Sequence, residues 1–340
     1  MDSVILGSTR ISVPKNGFGA LPIQRISAQD AAALLRKARE GGIRYFDTAR
    51  DYTNSEEKLG LAFGGAWDGL FIATKTSAKT PEVFRQDLDK SLRLLKTDCI
   101  DVYQFHNPSF CPKPGDGTGL YEAMAEAKAQ GKIRHIGITN HRLDIAEEAI
   151  LSGLYETLQF PFSFLSGEKE LRLVRLCKEH DMGFIAMKAL SGGLITNSAA
   201  AYAYLSQFDN VLPIWGIQRE KELDEFLSYF DNPPSLSGEL LSVIEKDRAD
   251  LKGDFCRGCG YCMPCPMGIE INTCARASLM VRRSPTSLIL SPEGQAMMNK
   301  VKDCIGCGRC ASKCPYGLNT PELLKRNYQD IQEILAGKPM

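Results

Sequence analysis

The chain has 340 residues, of which 44% are hydrophobic and 24% are charged. Its 41 lysine and arginine residues balance 41 aspartate and glutamate residues, which excludes the strongly basic surface typical of nucleic-acid-binding proteins. No window approaches the roughly 20 uninterrupted apolar residues of a membrane-spanning helix, and the first residues lack the pattern of a secretory signal. We therefore expect a cytoplasmic protein with one large and one small domain.

Up to about residue 230, short β-branched or aromatic runs alternate with longer helical patterns, which predicts βαβ units around a parallel sheet. Val4–Leu6 and Ile11–Val13 predict a small hairpin that plugs one end of the sheet. Eight strands are predicted after it: Gly17–Ala20, Arg44–Asp47, Phe71–Lys75, Ile100–His106, Ile133–Ile138, Glu156–Phe160, Gly183–Met187 and Val211–Trp215. Eight strand–helix pairs predict a closed (β/α)₈ TIM barrel. An open doubly wound sheet is the alternative, but no GxGxxG follows the first strand to favour it.

Asn232-Pro233-Pro234 interrupts the alternation and marks a predicted domain boundary. We expect three segments, which are a barrel over 1–232, a linking helix over 233–252 and a small helical, ferredoxin-like iron–sulfur domain over 253–340. A last amphipathic helix follows Thr320-Pro321, because proline is favoured in the first turn of a helix. The fold class is therefore α/β with a small C-terminal domain.

Nine of the 12 cysteines lie between Cys256 and Cys314. In a reducing compartment such a block indicates metal ligation and not a disulfide framework. The run from Cys304 to Pro315 matches the C-x₂-C-x₂-C-x₃-C-P pattern of two-cluster ferredoxins, whose fourth cysteine ligates the other cluster. The run from Cys256 to Pro266 is nearly the same, with two residues before its last cysteine where the pattern has three.

The exchange of fourth ligands predicts two [4Fe–4S] clusters. The predicted ligands of the first are Cys256, Cys259, Cys262 and Cys314, and those of the second are Cys304, Cys307, Cys310 and Cys265. The shortened spacing leaves Cys274 as an alternative to Cys265. Structural zinc on four cysteines is the other alternative, although zinc sites usually use separated CxxC pairs.

Four polar side chains fall near the carboxyl ends of predicted barrel strands. Asp47, Lys75 and His106 each end a strand, and Tyr52 follows Asp47 in the next loop. Because chemistry in a (β/α)₈ barrel takes place at the carboxyl ends of the strands, these side chains are expected to converge at one mouth.

The segments around these residues resemble the signature of the aldo-keto reductase family. Gly42–Ala49, Tyr52 and Ser55–Gly60 carry the resemblance, which extends over about residues 1–230. It implies an oxidoreductase that transfers a hydride between NADH or NADPH and a small carbonyl compound.

The resemblance also implies a catalytic role for each of the four residues. Tyr52 is expected to be the general acid, with Lys75 and Asp47 tuning it and His106 orienting the substrate carbonyl. Tyrosine has a reference pKa of about 10, which is too high for efficient proton donation at neutral pH. A lysine cation held by an aspartate is the kind of group that lowers such a pKa.

A nicotinamide site is implied by the same resemblance. Its expected residues are Thr139, Asn140 and Gln159 for the carboxamide, Met187 at the place of a stacking aromatic residue, and Gly216, Gln218, Arg219 and Glu222 near the phosphates. The phosphate contacts are expected from backbone groups at a helix N-terminus.

Three positions depart from the family pattern, the first being Met187 in place of the aromatic residue that stacks on nicotinamide. Glu222 stands in place of an arginine that grips the 2′-phosphate, and Phe226 replaces the usual asparagine for adenine. A carboxylate repels a 2′-phosphate, so NADH is favoured over NADPH, with Arg219 as an alternative phosphate contact. A barrel that binds no nicotinamide is the remaining alternative.

The leading hypothesis is therefore an iron–sulfur reductase of a small-molecule carbonyl substrate, using NAD(P)H, electrons passed through the clusters, or both. A hydride carries two electrons, whereas each cluster normally passes one, and no flavin motif is visible to convert between them. A second hypothesis omits nicotinamide and has a ferredoxin or other electron-transfer partner feed the clusters for one-electron steps. A third makes the protein a redox-sensing or binding protein with structural clusters.

Overall fold

The computed structural model describes residues 2–251, 255–283 and 287–339, and these residues fall into two units. The first unit holds the described residues of Met1–Ala189 and Tyr202–Leu236, and the second holds those of Leu190–Ala201 and Ser237–Met340. The segment 190–201 thus groups with the C-terminal part of the chain, which the sequence did not indicate. The three predicted segments, 1–232, 233–252 and 253–340, stay a prediction.

The strands all belong to the first unit. They are β1 (Ser3–Ile5), β2 (Ser12–Pro14), β3 (Gly17–Gly19), β4 (Tyr45–Asp47), β5 (Phe71–Thr76), β6 (Ile100–His106), β7 (Ile133–Thr139), β8 (Thr157–Pro161), β9 (Gly183–Met187) and β10 (Val211–Gly216). β3 to β10 form a closed barrel in the order β10-β3-β4-β5-β6-β7-β8-β9, and every pairing is parallel. The predicted TIM barrel is confirmed, each of its eight strands lies within one residue of its predicted bounds, and the open-sheet alternative is wrong.

The helices of the barrel chain alternate with its strands. They are α1 (Ala28–Glu40), α2 (Ser55–Phe63), α3 (Pro81–Leu95), α4 (Leu120–Ala129), α5 (Leu143–Ser152), α6 (Glu168–Glu179), α7 (Ser198–Ser206) and α8 (Glu220–Asp231). Those that follow are α9 (Gly238–Asp250), α10 (Ile271–Cys274), α11 (Ala277–Arg283), α12 (Ser287–Leu290), α13 (Pro292–Asn299), α14 (Arg309–Ser312) and α15 (Thr320–Leu335). No helix among the described residues is long and apolar enough to cross a membrane.

The β1–β2 hairpin closes one end of the barrel. The two strands pair antiparallel, and the buried side chains of Val4, Leu6 and Val13 pack with Tyr45 and Leu212 of the barrel strands. The predicted hairpin is therefore present. The carboxyl ends of the strands, where the candidate catalytic residues lie, form the other end of the barrel.

Polar contacts fix the β4–α2 loop, which carries Tyr52. Thr48 Oγ1 donates to Ser55 Oγ at 2.8 Å, and Ser55 Oγ donates to the Ala20 carbonyl at 2.9 Å. Lys58 Nζ donates to the carbonyls of Ile23 and Ile26 at 2.9 and 2.7 Å. The loop and the first turn of α2 are thereby held to the segment that follows β3.

A buried carboxylate holds α2 against the barrel. Glu56 Oε1 accepts hydrogen bonds from Thr74 Oγ1 at 2.6 Å and Ser91 Oγ at 2.7 Å, and Glu56 also forms an ion pair with Arg50. The Glu56 side chain has no exposed surface, whereas the neighbouring Glu57 is exposed. Glu56 thus joins the Tyr52 loop to β5 and α3.

The second unit has an apolar core of its own. Leu323, Leu324 and Ile331 of α15 are buried in it, so the predicted C-terminal amphipathic helix is present. Leu335, at the end of α15, is exposed. Ser237 caps α9 by accepting a hydrogen bond from the Leu240 amide.

We predict that Glu56→Gln destabilises the barrel by about 3–5 kcal/mol, because it leaves the Arg50 cation without its buried partner. Glu57→Gln is the matched control and is expected to change the free energy of unfolding by no more than about 0.5 kcal/mol. Urea unfolding followed by tryptophan fluorescence measures both, since Trp67 and Trp215 both lie in the barrel unit. Equal stabilities of the two variants would show that the buried ion pair does not hold the loop.

Candidate active site and cluster cavities

A buried ion pair lies at the base of the candidate active site. Lys75 Nζ donates to Asp47 Oδ1 at 2.8 Å, to Asp47 Oδ2 at 2.7 Å and to the Thr48 carbonyl at 2.6 Å. These three bonds match the three donors of an ammonium group. Burial raises the pKa of Asp47 and lowers the pKa of Lys75, and the attraction between the two charges opposes both shifts. The bidentate contact favours the charged form of both groups.

The other two predicted catalytic residues stand next to this pair. Lys75 Nζ is 5.3 Å from the centroid of the Tyr52 ring. The Tyr52 and His106 rings meet edge to face with their centroids 5.8 Å apart. The structure therefore brings Asp47, Tyr52, Lys75 and His106 together in one place, at the carboxyl ends of β4, β5 and β6.

Asp51 also belongs to this group, although no motif in the sequence selects it. His106 Nδ1 lies 3.1 Å from Asp51 Oδ2, which also accepts a hydrogen bond from Ser77 Oγ. The hydrogen bond with His106 lowers the pKa of Asp51, so the carboxylate stays charged at neutral pH. A carboxylate at Nδ1 favours a proton on that nitrogen and directs Nε2 of the imidazole away from Asp51.

The predicted carboxamide-binding residues are hydrogen-bonded to the protein itself. Asn140 Nδ2 donates to the Pro108 carbonyl at 2.9 Å, and Asn140 Oδ1 accepts from the amides of residues 141 and 142. Thr139 is buried, and its hydroxyl lies 3.9 Å from the Met187 sulfur. Binding of a carboxamide by these side chains requires an exchange of these bonds.

Gln159 contacts the Asp47 carboxylate and also forms a hydrogen bond with Gln104, which was not among the predicted site residues. Gln104 Nε2 donates to Gln159 Oε1 at 3.0 Å, and Gln159 Nε2 lies 3.4 Å from Asp47 Oδ2. Both glutamines are fully buried. Gln104 is adjacent to Lys75 in the β5–β6 register, so the two amides surround the Asp47 carboxylate.

A carboxylate already occupies the N-terminus of α8, where phosphates were expected. Glu222 Oε2 accepts hydrogen bonds from the amides of Gln218 and Arg219, both at 3.0 Å, and Glu222 Oε1 accepts from Arg219 Nε at 2.8 Å. Gly216 is exposed at the end of β10. Phe226 is buried and stacks on Trp215 with ring centroids 4.4 Å apart, so it belongs to the core.

The cysteines line two cavities in the second unit. One is lined by Cys256, Cys259, Cys262 and Cys314. The other is lined by Cys265, Cys304, Cys307 and Cys310, and Cys262 lines it as well. Each predicted ligand set therefore shares a cavity, including the exchanged fourth cysteine. Cys274 lines neither cavity and is buried with its sulfur 3.7 Å from the Met297 carbonyl.

Backbone amides approach the cysteine sulfurs as an iron–sulfur site requires. The Gly258 amide donates to Cys256 Sγ at 3.3 Å, and the Met267 amide donates to Cys265 Sγ at 3.4 Å. Gly258 and Gly308 have φ angles of 63° and 70°, which favour glycine. Four thiols around a cavity with amides aimed at sulfur fit a [4Fe–4S] cluster, whose potential depends on such bonds. Among the described residues, no three His, Cys, Asp or Glu side chains close on a single metal ion.

Comparison with protein families gives matches in both halves of the chain. The Aldo/keto reductase family model matches residues 15–201, which is more than half of the chain, and a 4Fe-4S dicluster domain model matches residues 255–319. The aldo-keto reductase YhdN of Bacillus subtilis is 31% identical over 215 residues, which cover 58% of this chain and 64% of that protein. The NADH-specific methylglyoxal reductase of Escherichia coli is 27% identical over 228 residues, which cover 58% of this chain and 70% of that protein.

Solved structures share the barrel fold. The holo form of an aldo-keto reductase from Bacillus halodurans aligns with a TM-score of 0.64 and 22% identity, covering 73% of this chain and 96% of that one. An aldo-keto reductase from Klebsiella pneumoniae in complex with NADPH aligns with a TM-score of 0.62 and 24% identity, covering 72% and 94%. The family matches, the closed barrel and the cysteine cavities together show that this chain is a member of the aldo/keto reductase family that carries a 4Fe-4S dicluster domain.

Proposed function

We propose that this protein reduces the carbonyl group of a small molecule, with Tyr52 donating the proton and the clusters exchanging electrons with the reaction or with a partner protein. The observation that carries the proposal is the position of Tyr52 between the buried Lys75 cation and the His106 ring. No other group of described residues combines a proton donor, a cation and an imidazole at the strand ends in this way. The dicluster domain supports the redox character of the reaction.

The proposed chemistry assigns one task to each side chain. The carbonyl carbon gains two electrons and a proton as a hydride equivalent, and Tyr52 gives its hydroxyl proton to the carbonyl oxygen, which leaves an alcohol and a tyrosinate. Lys75, held by Asp47, stabilises that tyrosinate through its positive charge. His106 orients the carbonyl oxygen, and water then returns a proton to Tyr52.

NADH is the proposed hydride source, and two [4Fe–4S] clusters are the proposed one-electron carriers. The Glu222 carboxylate at the start of α8 disfavours the 2′-phosphate of NADPH, and its ion pair neutralises Arg219. One relative is named as an NADH-specific methylglyoxal reductase. We accordingly use methylglyoxal as the probe substrate, and we propose small carbonyl compounds as the substrate class.

A second candidate function follows from the Glu222 carboxylate. Glu222 accepts a hydrogen bond from an amide that would otherwise be available to a phosphate. The Asn140 and Gln159 side chains likewise form hydrogen bonds with other groups of the protein. These contacts favour a reductase that needs no nicotinamide, in which a reduced ferredoxin or similar partner feeds the clusters. Carbonyl reduction driven by reduced methyl viologen, with no rate from NADH, distinguishes it from the first candidate.

Replacing the proposed proton donor tests both candidates. We predict that Tyr52→Phe lowers kcat for methylglyoxal reduction by about 10²–10⁴-fold with either electron source, because the carbonyl oxygen loses its general acid. Tyr121→Phe is the matched control, since the Tyr121 hydroxyl donates to the Leu154 carbonyl elsewhere in the barrel. A Tyr52→Phe enzyme with an unchanged rate would show that Tyr52 is not the acid.

The His106–Asp51 contact predicts a positioning effect. Asp51 Oδ2 holds the imidazole through Nδ1 at 3.1 Å. We predict that Asp51→Ala lowers kcat/KM for methylglyoxal reduction by about tenfold or more, because a carbonyl group that His106 no longer orients reacts more slowly.

The control for this variant is Asp68→Ala, which removes a carboxylate from an exposed loop. Its kcat/KM is expected to match that of the unmodified protein. An unchanged kcat/KM in Asp51→Ala would show that Asp51 does not position His106.

The cysteine assignment is tested by iron analysis. We predict that Cys265→Ser lowers the iron and acid-labile sulfide content by about half, because a cluster with one thiolate fewer is labile. Cys274→Ser is the matched control and is expected to keep all of the iron. Loss of iron from Cys274→Ser with full retention by Cys265→Ser would reverse the assignment, and zinc in place of iron would contradict the clusters.

A further inference from the structure

Arg276 is a buried cation in the second unit. It lies between α10 and α11 and is only 7% exposed. Its Nη2 donates to the carbonyl of Gly192 and lies 2.7 Å from the Met280 sulfur. Among the described residues, no carboxylate forms an ion pair with Arg276. Because a buried charge without a counter-charge is costly, an anion beside this guanidinium would stabilise it.

The guanidinium lies against the cysteine loop of the first cavity. A Cβ atom placed on Gly258 would be 2.4 Å from Arg276 Nη1, so the guanidinium is packed directly on the Gly258 backbone. The amide of the same Gly258 donates to Cys256 Sγ. Arg276 and Cys256 therefore lie next to the same peptide group.

The contact with Gly258 places Arg276 beside the loop that carries Cys256 and Cys259, two of the predicted ligands of the first cluster. A cluster on four thiolates carries net negative charge, so a bound cluster supplies the anion that Arg276 lacks.

We propose that Arg276 is the counter-cation of the first cluster, held by Cys256, Cys259, Cys262 and Cys314, and that it raises the reduction potential of this cluster above that of the second. Reduction adds one negative charge to a cluster, and a nearby buried cation stabilises the reduced state more than the oxidised state. Net charge and hydrogen bonding are known determinants of such potentials. The inference rests on the proposed pair of clusters.

Arg276 is the only buried lysine or arginine among the described residues of the second unit. Arg309 lines the second cavity, but its side chain is exposed, so water screens its charge. Arg257 lines the first cavity and stacks on Phe255 with its guanidinium carbon 3.8 Å from the ring centroid, which adds to the effect of Arg276. An electron that enters the pair is therefore expected to reside on the first cluster.

The test is an anaerobic redox titration of the holoprotein, in which cluster EPR signals are recorded against potential. In Arg276→Gln, the equilibrium constant for reducing the first cluster is expected to fall at least about tenfold, which corresponds to about 59 mV for one electron. The reduction potential of the second cluster should be unchanged. Arg276→Lys keeps the charge and is expected to stay near the unmodified protein. Arg282→Gln is the matched control, because Arg282 lies on α11 and pairs with Asp330.

Iron and sulfide are measured first, which separates failure of the proposed clusters from failure of this inference. Unchanged potentials in an iron-replete Arg276→Gln protein would overturn the role of Arg276. An equal shift of the reduction potential in Arg276→Lys, or an equal loss of iron from both variants, would also overturn this role. Either result would show that the packing of the side chain matters and its charge does not. Loss of one cluster from Arg276→Gln alone, with Arg276→Lys unaffected, supports it.

Discussion

The contact between Lys75 and Asp47 is the interaction on which the candidate active site depends. A fully buried ammonium is stable only where acceptors surround it, and here two carboxylate oxygens and the Thr48 carbonyl do so. The parallel register places Asp47 opposite Ala73, two residues before Lys75, so Lys75 is on the same face of the sheet as Asp47. Gln104 and Gln159 then contact the remaining side of the carboxylate. A positive charge is thus fixed beside Tyr52 before any substrate binds.

Two further buried charges in the chain also need partners that stabilise them. Glu56 lies without exposed surface on the other side of the Tyr52 loop, where Arg50 and two hydroxyl groups satisfy it. Arg276 is buried in the second unit, where it packs on the Gly258 backbone beside Cys256. The first two sites are complete within the protein. The third lacks a full counter-charge among the described residues, and an anionic cluster would supply it.

The sequence was informative where local pattern determines structure. Parallel strands are apolar on both faces, so eight runs predicted the barrel, and the ends of three runs located Asp47, Lys75 and His106. Cysteine spacing predicted two ligand sets because thiolates one turn apart wrap one cluster. Tyr52 was found through its family signature, since a tyrosine in a loop has no distinguishing local pattern.

The residues that escaped prediction depend on tertiary contacts. Asp51 is one charged residue in a polar loop, and only the fold brings it to His106. Gln104 has no distinguishing pattern within β6, and its contact with Gln159 depends on the closure of the barrel. The carboxylate of Glu222 was expected to repel a phosphate, but its hydrogen bonds to the α8 amides became visible only with the helix in place. The grouping of 190–201 with the C-terminal unit also has no local signal.

A hydride carries two electrons and a cluster normally carries one, so the central question is whether the barrel and the clusters share electrons. The most direct measurement is an anaerobic titration of the iron-replete protein with NADH and with NADPH, recording cluster EPR and visible absorption. We predict that NADH reduces the clusters and that NADPH is less effective, because of Glu222. Clusters that dithionite reduces but neither nucleotide affects, with no nucleotide bound, would contradict the NADH-linked reaction.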